Sequence, residues 1–486
     1  MEAKSGNSTT TRPRKVLLKD IAVLWTGEDE SVHSGVSIFI DNGIIQWLGD
    51  HDSIPASLLR TDHVIEDMSN RLVTPGLINT HHHMYQSLTK CMARESQLFE
   101  WLQTLYPLWQ HLTPEMIKKS SKFAIAELLL SGCTLTTDML YLYPNGVELD
   151  DTISAAQELG IRFMPCRGAV TVGQSDGGLP PDVLVEKEED VLQDMRRLIE
   201  MYHDSHDGAM IRIALAPCSP FSASETLMKK SAALAREYQN VMLHTHLAEN
   251  SSDMQFMKTS VQKSLTEYLD DCGWNQKDCW FAHCVKLDED KSDEAMKYFA
   301  ERGLGVAHCP VSNCRLASGI APVCDMLDKK VKVGMGVDGS ASNDSGNLLS
   351  EARMALMLAR VKAEKANALS AVEVLKMATS GGAAVLGRTD VGVIRAGMCG
   401  DLVGWRLDAP SFAGAFHSNA AVLSALVLGN GGDLRADYVM VDGKAVVRDG
   451  MLVGKHNMRE ITRAHNHAAL MLAKSAREAS VNKPRE

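Results

Sequence analysis

No stretch of this chain stays apolar for the roughly 18 residues that a membrane-spanning helix requires, and no long basic run occurs in it. The first absence argues against a membrane as partner. The second, with a net charge of −11, argues against nucleic acid, because a surface that holds phosphates must be built from clustered Lys and Arg. Also missing is any Cys-x-x-Cys pair: the 11 cysteines are scattered, and no hydrophobic signal segment opens the chain. Free thiols in a reducing, cytoplasmic setting are therefore expected rather than a disulfide framework. What is present is 486 residues, 45% of them hydrophobic, enough for one large core with a smaller companion.

Residues 1–14 carry no apolar pattern and are expected to be a mobile tail. Strand signals follow. Val36, Ile38 and Ile40 alternate up to Asn42-Gly43, and Ile44, Ile45 and Trp47 resume beyond it. The same style returns near the other end, where Tyr438–Val441 runs into Asp442-Gly443 and Val446-Val447 into Asp449-Gly450. Each block alone is short for independent stability. One small β-sandwich assembled from residues 15–73 and 390–455 is therefore expected, with a helical tail over 456–486.

The middle, residues 74–389, alternates helical periodicity with short apolar runs. Helices are expected over Pro114–Ser131, Asp190–Tyr202, Ser224–Tyr238, Leu349–Glu364 and Ala371–Ser380. Strands are expected over Leu77–His83, Cys133–Thr137, Ile161–Cys166, Ile211–Ala216, Val241–His246, Trp280–His283, Gly305–His308 and Val333–Asp338. Eight strands, each followed by a helix or loop, make an α/β fold of the (β/α)8 TIM-like barrel type. The active site of such a barrel lies at the C-terminal ends of its strands. Met354 and Met357 are read as core packing.

Chemistry-bearing residues collect at those ends. In an extended chain side chains alternate, so His81 and His83 point one way and His82 the other. Two imidazoles on one side can hold a borderline-soft metal ion. His244, His246 and Glu249 close the fifth strand, His283 the sixth, His308 the seventh and Asp338 the eighth.

His81-x-His83, His246-x-x-Glu249, His283 and Val337-Asp338-Gly339 resemble the amidohydrolase superfamily, within it the aminohydrolases that deaminate purines, pyrimidines and triazines. Asn79–Gln86, Ala216–Phe221, His244–Asn250, Cys309–Asn313, Leu316–Pro322 and Gly336–Asp344 are similar to stretches of the 8-oxoguanine deaminases, and hydroxytriazine aminohydrolases share many of them. The resemblance spans about residues 15–455. It implies that His81, His83, His246 and Asp338 bind one divalent ion, zinc first and iron second. Binuclear relatives add a carboxylated lysine from the fourth strand, and Ile211–Ala216 has none. It further implies Asp338 as acceptor of a water proton, Glu249 as proton donor to the substrate ring, and His283 as the imidazole that orients the water and stabilises the oxygen of the adduct.

Two departures bear on the substrate. Relatives that act on adenosine-type ligands commonly have His where this chain has Cys218, and an Arg near Asp176-Gly177-Gly178, where Leu179 follows here. Both favour a free base over a nucleoside. Gln86, Trp109 and Cys218 are the candidates for the base-facing wall. The expected function is deamination of a free nucleobase, 8-oxoguanine first, with a hydroxy-amino-triazine, guanine or isocytosine as alternatives. The expected partners are small molecules only, in a homo-oligomer. A non-catalytic scaffold is the remote alternative, disfavoured because the ligands and Glu249 are all present.

Overall fold

Three Asx-Gly pairs show most directly how sequence becomes structure here. Asn42-Gly43, Asp442-Gly443 and Asp449-Gly450 each separate two antiparallel strands by two residues, and in each pair both residues have positive φ. That is the conformation whose twist matches flanking strands in a two-residue hairpin, and Asn, Asp and Gly are the residues that adopt it at least cost. The structure is a computed structural model that describes residues 15–60, 62–287, 289 and 293–481. The tail expected at 1–14 lies outside the described residues.

The hairpins belong to two sheets. One has four strands in the order Ile44–Asp50, Val36–Asp41, Lys15–Ile21 and Val64–Asp67. The other has seven and mixes both ends of the chain: Leu402–Arg406 pairs with Arg71–Pro75 on one side and Tyr438–Val441 on the other. Leu18, Ile38 and Ile40 of the first sheet share a buried apolar cluster with Leu24, Val73, Leu402 and Met440 of the second. The β region is thus composite, as expected.

Eight parallel strands close into a barrel. In chain order they are β1 (Leu77–Asn79), β2 (Cys133–Leu140), β3 (Arg162–Ala169), β4 (Ala214–Pro217), β5 (Met242–Leu247), β6 (Cys279–His283), β7 (Gly305–His308) and β8 (Lys332–Met335). The ring closes where Met335 of β8 pairs with Asn79 of β1. Helices cover the outside. Pro114–Leu130 starts where it does because Thr113 accepts the Met116 N–H and Pro114 takes the first turn, and Ser224 caps Glu225–Ala235 in the same way.

Several limits differ from expectation. β1 ends at Asn79 rather than His83, and β8 at Met335 rather than Asp338: the ladder stops and the chain leaves the sheet before it presents the polar residues. The helix expected over Ala371–Ser380 runs Ala371–Lys376 and continues as a π-helical turn, Met377–Gly381. Leu98–Trp109, not foreseen, is a helix. Met354 and Met357 do not pack in the core; Met357 is exposed and Met354 half-buried on the outer face of Leu348–Ala363. All eleven cysteines are free. Among the described residues, no helix is long and apolar enough to cross a membrane.

Candidate metal centre and cavity

Beyond β1 the chain stays open enough for the alternation to continue: His83 has φ −131° and ψ 85°. His81 and His83 turn into the barrel mouth, and their rings lie 4.7 Å apart. His82 turns away, its Nδ1 accepting the His83 backbone N–H at 2.9 Å. β5 delivers His246, whose ring stacks on that of His83 at 5.1 Å. Asp338, on the loop after β8, is set by a positive φ of 59° and brings Oδ1 to 3.3 Å from His81 Nε2 and 3.6 Å from His83 Nε2.

Proton positions follow from the partners. His83 Nδ1 lies 2.7 Å from the Met139 carbonyl, and His246 Nδ1 lies 2.6 Å from the Cys218 carbonyl. A carbonyl only accepts, so both Nδ1 atoms carry the proton and both Nε2 atoms are bare lone pairs. Those two bare nitrogens face each other at 3.0 Å. His81 Nε2 is buried with no hydrogen-bond partner. Burial also holds His81, His83 and His246 below the ordinary histidine range, which keeps the rings neutral. Three converging lone pairs beside a carboxylate repel one another unless a cation lies among them, so this donor set fits a divalent metal ion. Asp338 Oδ2, for its part, accepts from Ser312 at 2.5 Å and Ser342 at 3.1 Å.

Glu249 and His283 adjoin the cluster. Glu249 Oε2 lies 3.7 Å from His283 Nε2, which lies 3.9 Å from Asp338 Oδ2. Burial pushes the Glu249 carboxyl up to about 7. Burial opposes charge on His283, but Glu249 and Asp338 outweigh it and move the ring above its ordinary value. His283 Nδ1 donates to Asn313 Oδ1 at 2.9 Å, which aims Nε2 at the carboxylates.

His83, His246, Glu249, His283 and Asp338 line one side of a cavity at the barrel mouth. Its other walls include Trp101, Tyr106, Tyr141, Phe221, Gln86 and Cys218. Gln86 Nε2 donates to Tyr141 Oη at 3.3 Å, while its Oε1 is buried without a partner. Gly339 permits this, since a Cβ there would lie 1.8 Å from that oxygen. Burial pushes the Cys218 thiol up to about 12, so it is a small neutral wall rather than a nucleophile. Trp109 does not line the cavity. It sits behind it against Trp101, Tyr106 and Tyr85, its indole N–H on Thr89 Oγ1. Leu98, Trp101, Leu102 and Tyr106 of the same helix do line the cavity, and Trp109 follows them one turn further along. The sequence reading also missed Tyr141, Phe221, Ser312, Ser342 and Asn313. The available signals were the motifs Ala216–Phe221, Cys309–Asn313 and Gly336–Asp344, which carry Phe221, Ser312 with Asn313, and Ser342; Tyr141 lies in none of them.

Residues 72–446 match the model of the amidohydrolase family. Among curated proteins, the chain is 43% identical over 411 residues to an 8-oxoguanine deaminase of Pseudomonas aeruginosa, covering 84% of this chain and 89% of that protein. It is 33% identical over 449 residues to a hydroxydechloroatrazine ethylaminohydrolase of a Pseudomonas species, covering 89% and 90%. Among solved structures, the atrazine chlorohydrolase of Arthrobacter aurescens complexed with zinc superposes with a TM-score of 0.85 at 30% identity, covering 93% of this chain and all of that one. A family match that runs through the whole barrel, on strands whose ends gather three bare imidazole nitrogens and a carboxylate, leaves one assignment: the chain belongs to the amidohydrolase family.

Proposed function

We propose that this protein is a metal-dependent hydrolytic deaminase of a free nucleobase, with 8-oxoguanine as the preferred substrate. The observation that carries the reading is that Glu249, His283 and Asp338 open into the same flat-walled cavity as His83 and His246, with the His81 ring against theirs and its ligand nitrogen within reach of the same point. Those three imidazoles and Asp338 would hold one divalent ion, zinc or iron. When bound, such an ion lowers the pKa of a water towards about 7 and so supplies the hydrolytic nucleophile. Asp338, its Oδ2 steadied by two serine hydroxyls, accepts the proton that this water gives up. Glu249, protonated around neutrality, donates to a ring nitrogen; the proton held by Asp338 goes to the departing amine, and the hydroxyl proton released as the carbonyl forms returns to Glu249. The His283 ring, pinned by Asn313, places Nε2 where negative charge develops on the adduct oxygen.

The choice of base rests on the similarity to 8-oxoguanine deaminases and on the cavity walls. Trp101, Tyr106, Tyr141 and Phe221 provide flat apolar faces for a planar ring. The unpartnered Gln86 Oε1 is an acceptor for a ring N–H, and a site built on such a contact discriminates sharply against ligands that lack the group. Ammonia release, measured for 8-oxoguanine, guanine, guanosine, adenosine and a hydroxy-amino-triazine under one set of conditions, tests this. The highest kcat/KM is expected on 8-oxoguanine, with both nucleosides poor. A clear preference for either nucleoside would overturn the free-base reading, and a preference for the triazine would replace the substrate while keeping the chemistry.

A further inference from the structure

His81 differs from the other two imidazoles in one respect. His83 and His246 each give the Nδ1 proton to a main-chain carbonyl, whereas His81 Nδ1 lies 2.8 Å from a side-chain atom, Nε2 of His244. His244 is fully buried on β5, and its ring stacks flat on Trp280 at 4.2 Å and 10°. Its own Nδ1 lies 3.0 Å from the Trp280 carbonyl. A neutral ring holds one proton, and the carbonyl fixes it on Nδ1. His244 Nε2 is then an acceptor, and His81 Nδ1 has to be the donor. The polarity of the whole row, from the Trp280 carbonyl through His244 to His81, is set by that single carbonyl.

We propose that His244 is a positioning residue that fixes the tautomer and orientation of His81 and thereby sustains metal affinity. The consequence lies on the far side of the His81 ring. With His244 accepting at Nδ1, Nε2 is bare. Without that acceptor the His81 proton is free to move to Nε2, where Asp338 Oδ1 stands 3.3 Å away ready to take a hydrogen bond. One imidazole and one carboxylate would then satisfy each other, and both would be withdrawn from the metal together. His244 excludes this collapsed arrangement. The other two imidazoles need no such guard, because a main-chain carbonyl holds each of them. A partner that orients a histidine ligand through its second nitrogen is worth about ten- to a hundredfold in metal affinity.

The inference rests on the proposed metal centre, and one set of variants separates the two. His244→Phe keeps a flat ring on Trp280 and deletes the acceptor for His81, together with the donor to the Trp280 carbonyl. His244→Gln restores an oxygen near the place of Nε2. Zinc affinity is measured by competition with a chromophoric chelator for the parent and both variants, and the melting temperature is measured on the chelated forms. His244→Phe is expected to bind zinc about ten- to a hundredfold more weakly than the parent, with a chelated form that melts near the parent's, and His244→Gln to recover much of the loss. A folded His244→Phe with parental affinity would overturn the relay, as would a His244→Gln no better than His244→Phe. A parent that binds no zinc strikes the metal centre itself. If His244→Phe does not fold, nitrogen-15 spectra of the histidine-labelled parent decide: a proton on Nδ1 of His244 supports the relay, and one on Nε2 overturns it.

Discussion

The two ends of the barrel treat buried polar groups in opposite ways. At the N-terminal end, Arg162 of β3 is fully buried and grips Asp401 of the β region with two hydrogen bonds, at 2.9 and 2.8 Å, while its third nitrogen reaches the carbonyls of Gly208 and Ala209. Asp401 also accepts from the Asp442 backbone, and nearby Arg388 is paired with Asp390. At the C-terminal end, His81 Nε2, Gln86 Oε1, Tyr85 Oη and Asn313 Nδ2 are buried without partners, and His283 and Asp338 take positive φ. Unpaired buried groups and unusual backbone are costly and persist where a ligand completes them. Ion pairs brace the scaffold, where Arg212 Nε is also buried without a partner, while the leftover capacity around the His81–Asp338 cluster adjoins the cavity.

The sharpest way to break that contrast is to unpair the scaffold. Asp401→Ala leaves the buried Arg162 guanidinium without its bidentate carboxylate, with only Asp442 Oδ1 at 4.0 Å to offset the charge, and a loss of about 3–5 kcal/mol in unfolding free energy is expected. Denaturant titration measures it, and metal content per folded chain should be unchanged. Glu249→Gln acts at the other end and in the other direction. It keeps the shape but cannot shuttle a proton, so turnover should fall at least about a hundredfold while metal content and melting temperature hold.

The smallest expected effect comes from Asp138, buried on β2 with Oδ1 on the Met84 N–H and Oδ2 unpartnered. Burial raises its carboxyl to about 7, well above an unfolded value of about 4. The folded chain therefore binds this proton more tightly. The resulting stability is fully present below the unfolded value and is lost as pH rises through the folded one. Asp138→Asn keeps an oxygen for Met84 and does not titrate. Measured on chelated protein between about pH 5 and pH 8, the parent should lose more melting temperature than the variant.

How much of this was legible in the sequence depends on how local each signal is. The three Asx-Gly hairpins and the closing order of eight strands were readable because turn chemistry and apolar runs are written in consecutive residues. His81 and His83 were readable by alternation, which survived past the end of β1 because the chain stayed extended. Asp338 was not readable that way: it lies three residues beyond β8 at positive φ, and its place at the expected end of the eighth strand and its motif pointed to it. Trp109 was misplaced because nothing local tells which turn of Leu98–Trp109 reaches the cavity, and the helix itself went unread. His244 was read only as one of the polar residues that close the fifth strand. Its partners, Trp280 and His81, come together through the barrel's closure, which no window of sequence contains.

The central claim is a single metal centre built on one face of the His81–His83 run. Elemental analysis of the purified parent, His83→Ala and His82→Ala tests it most directly. About one divalent ion per chain is expected in the parent and in His82→Ala, and almost none in His83→Ala. About two ions per parent chain, or equal loss in both variants, would contradict it.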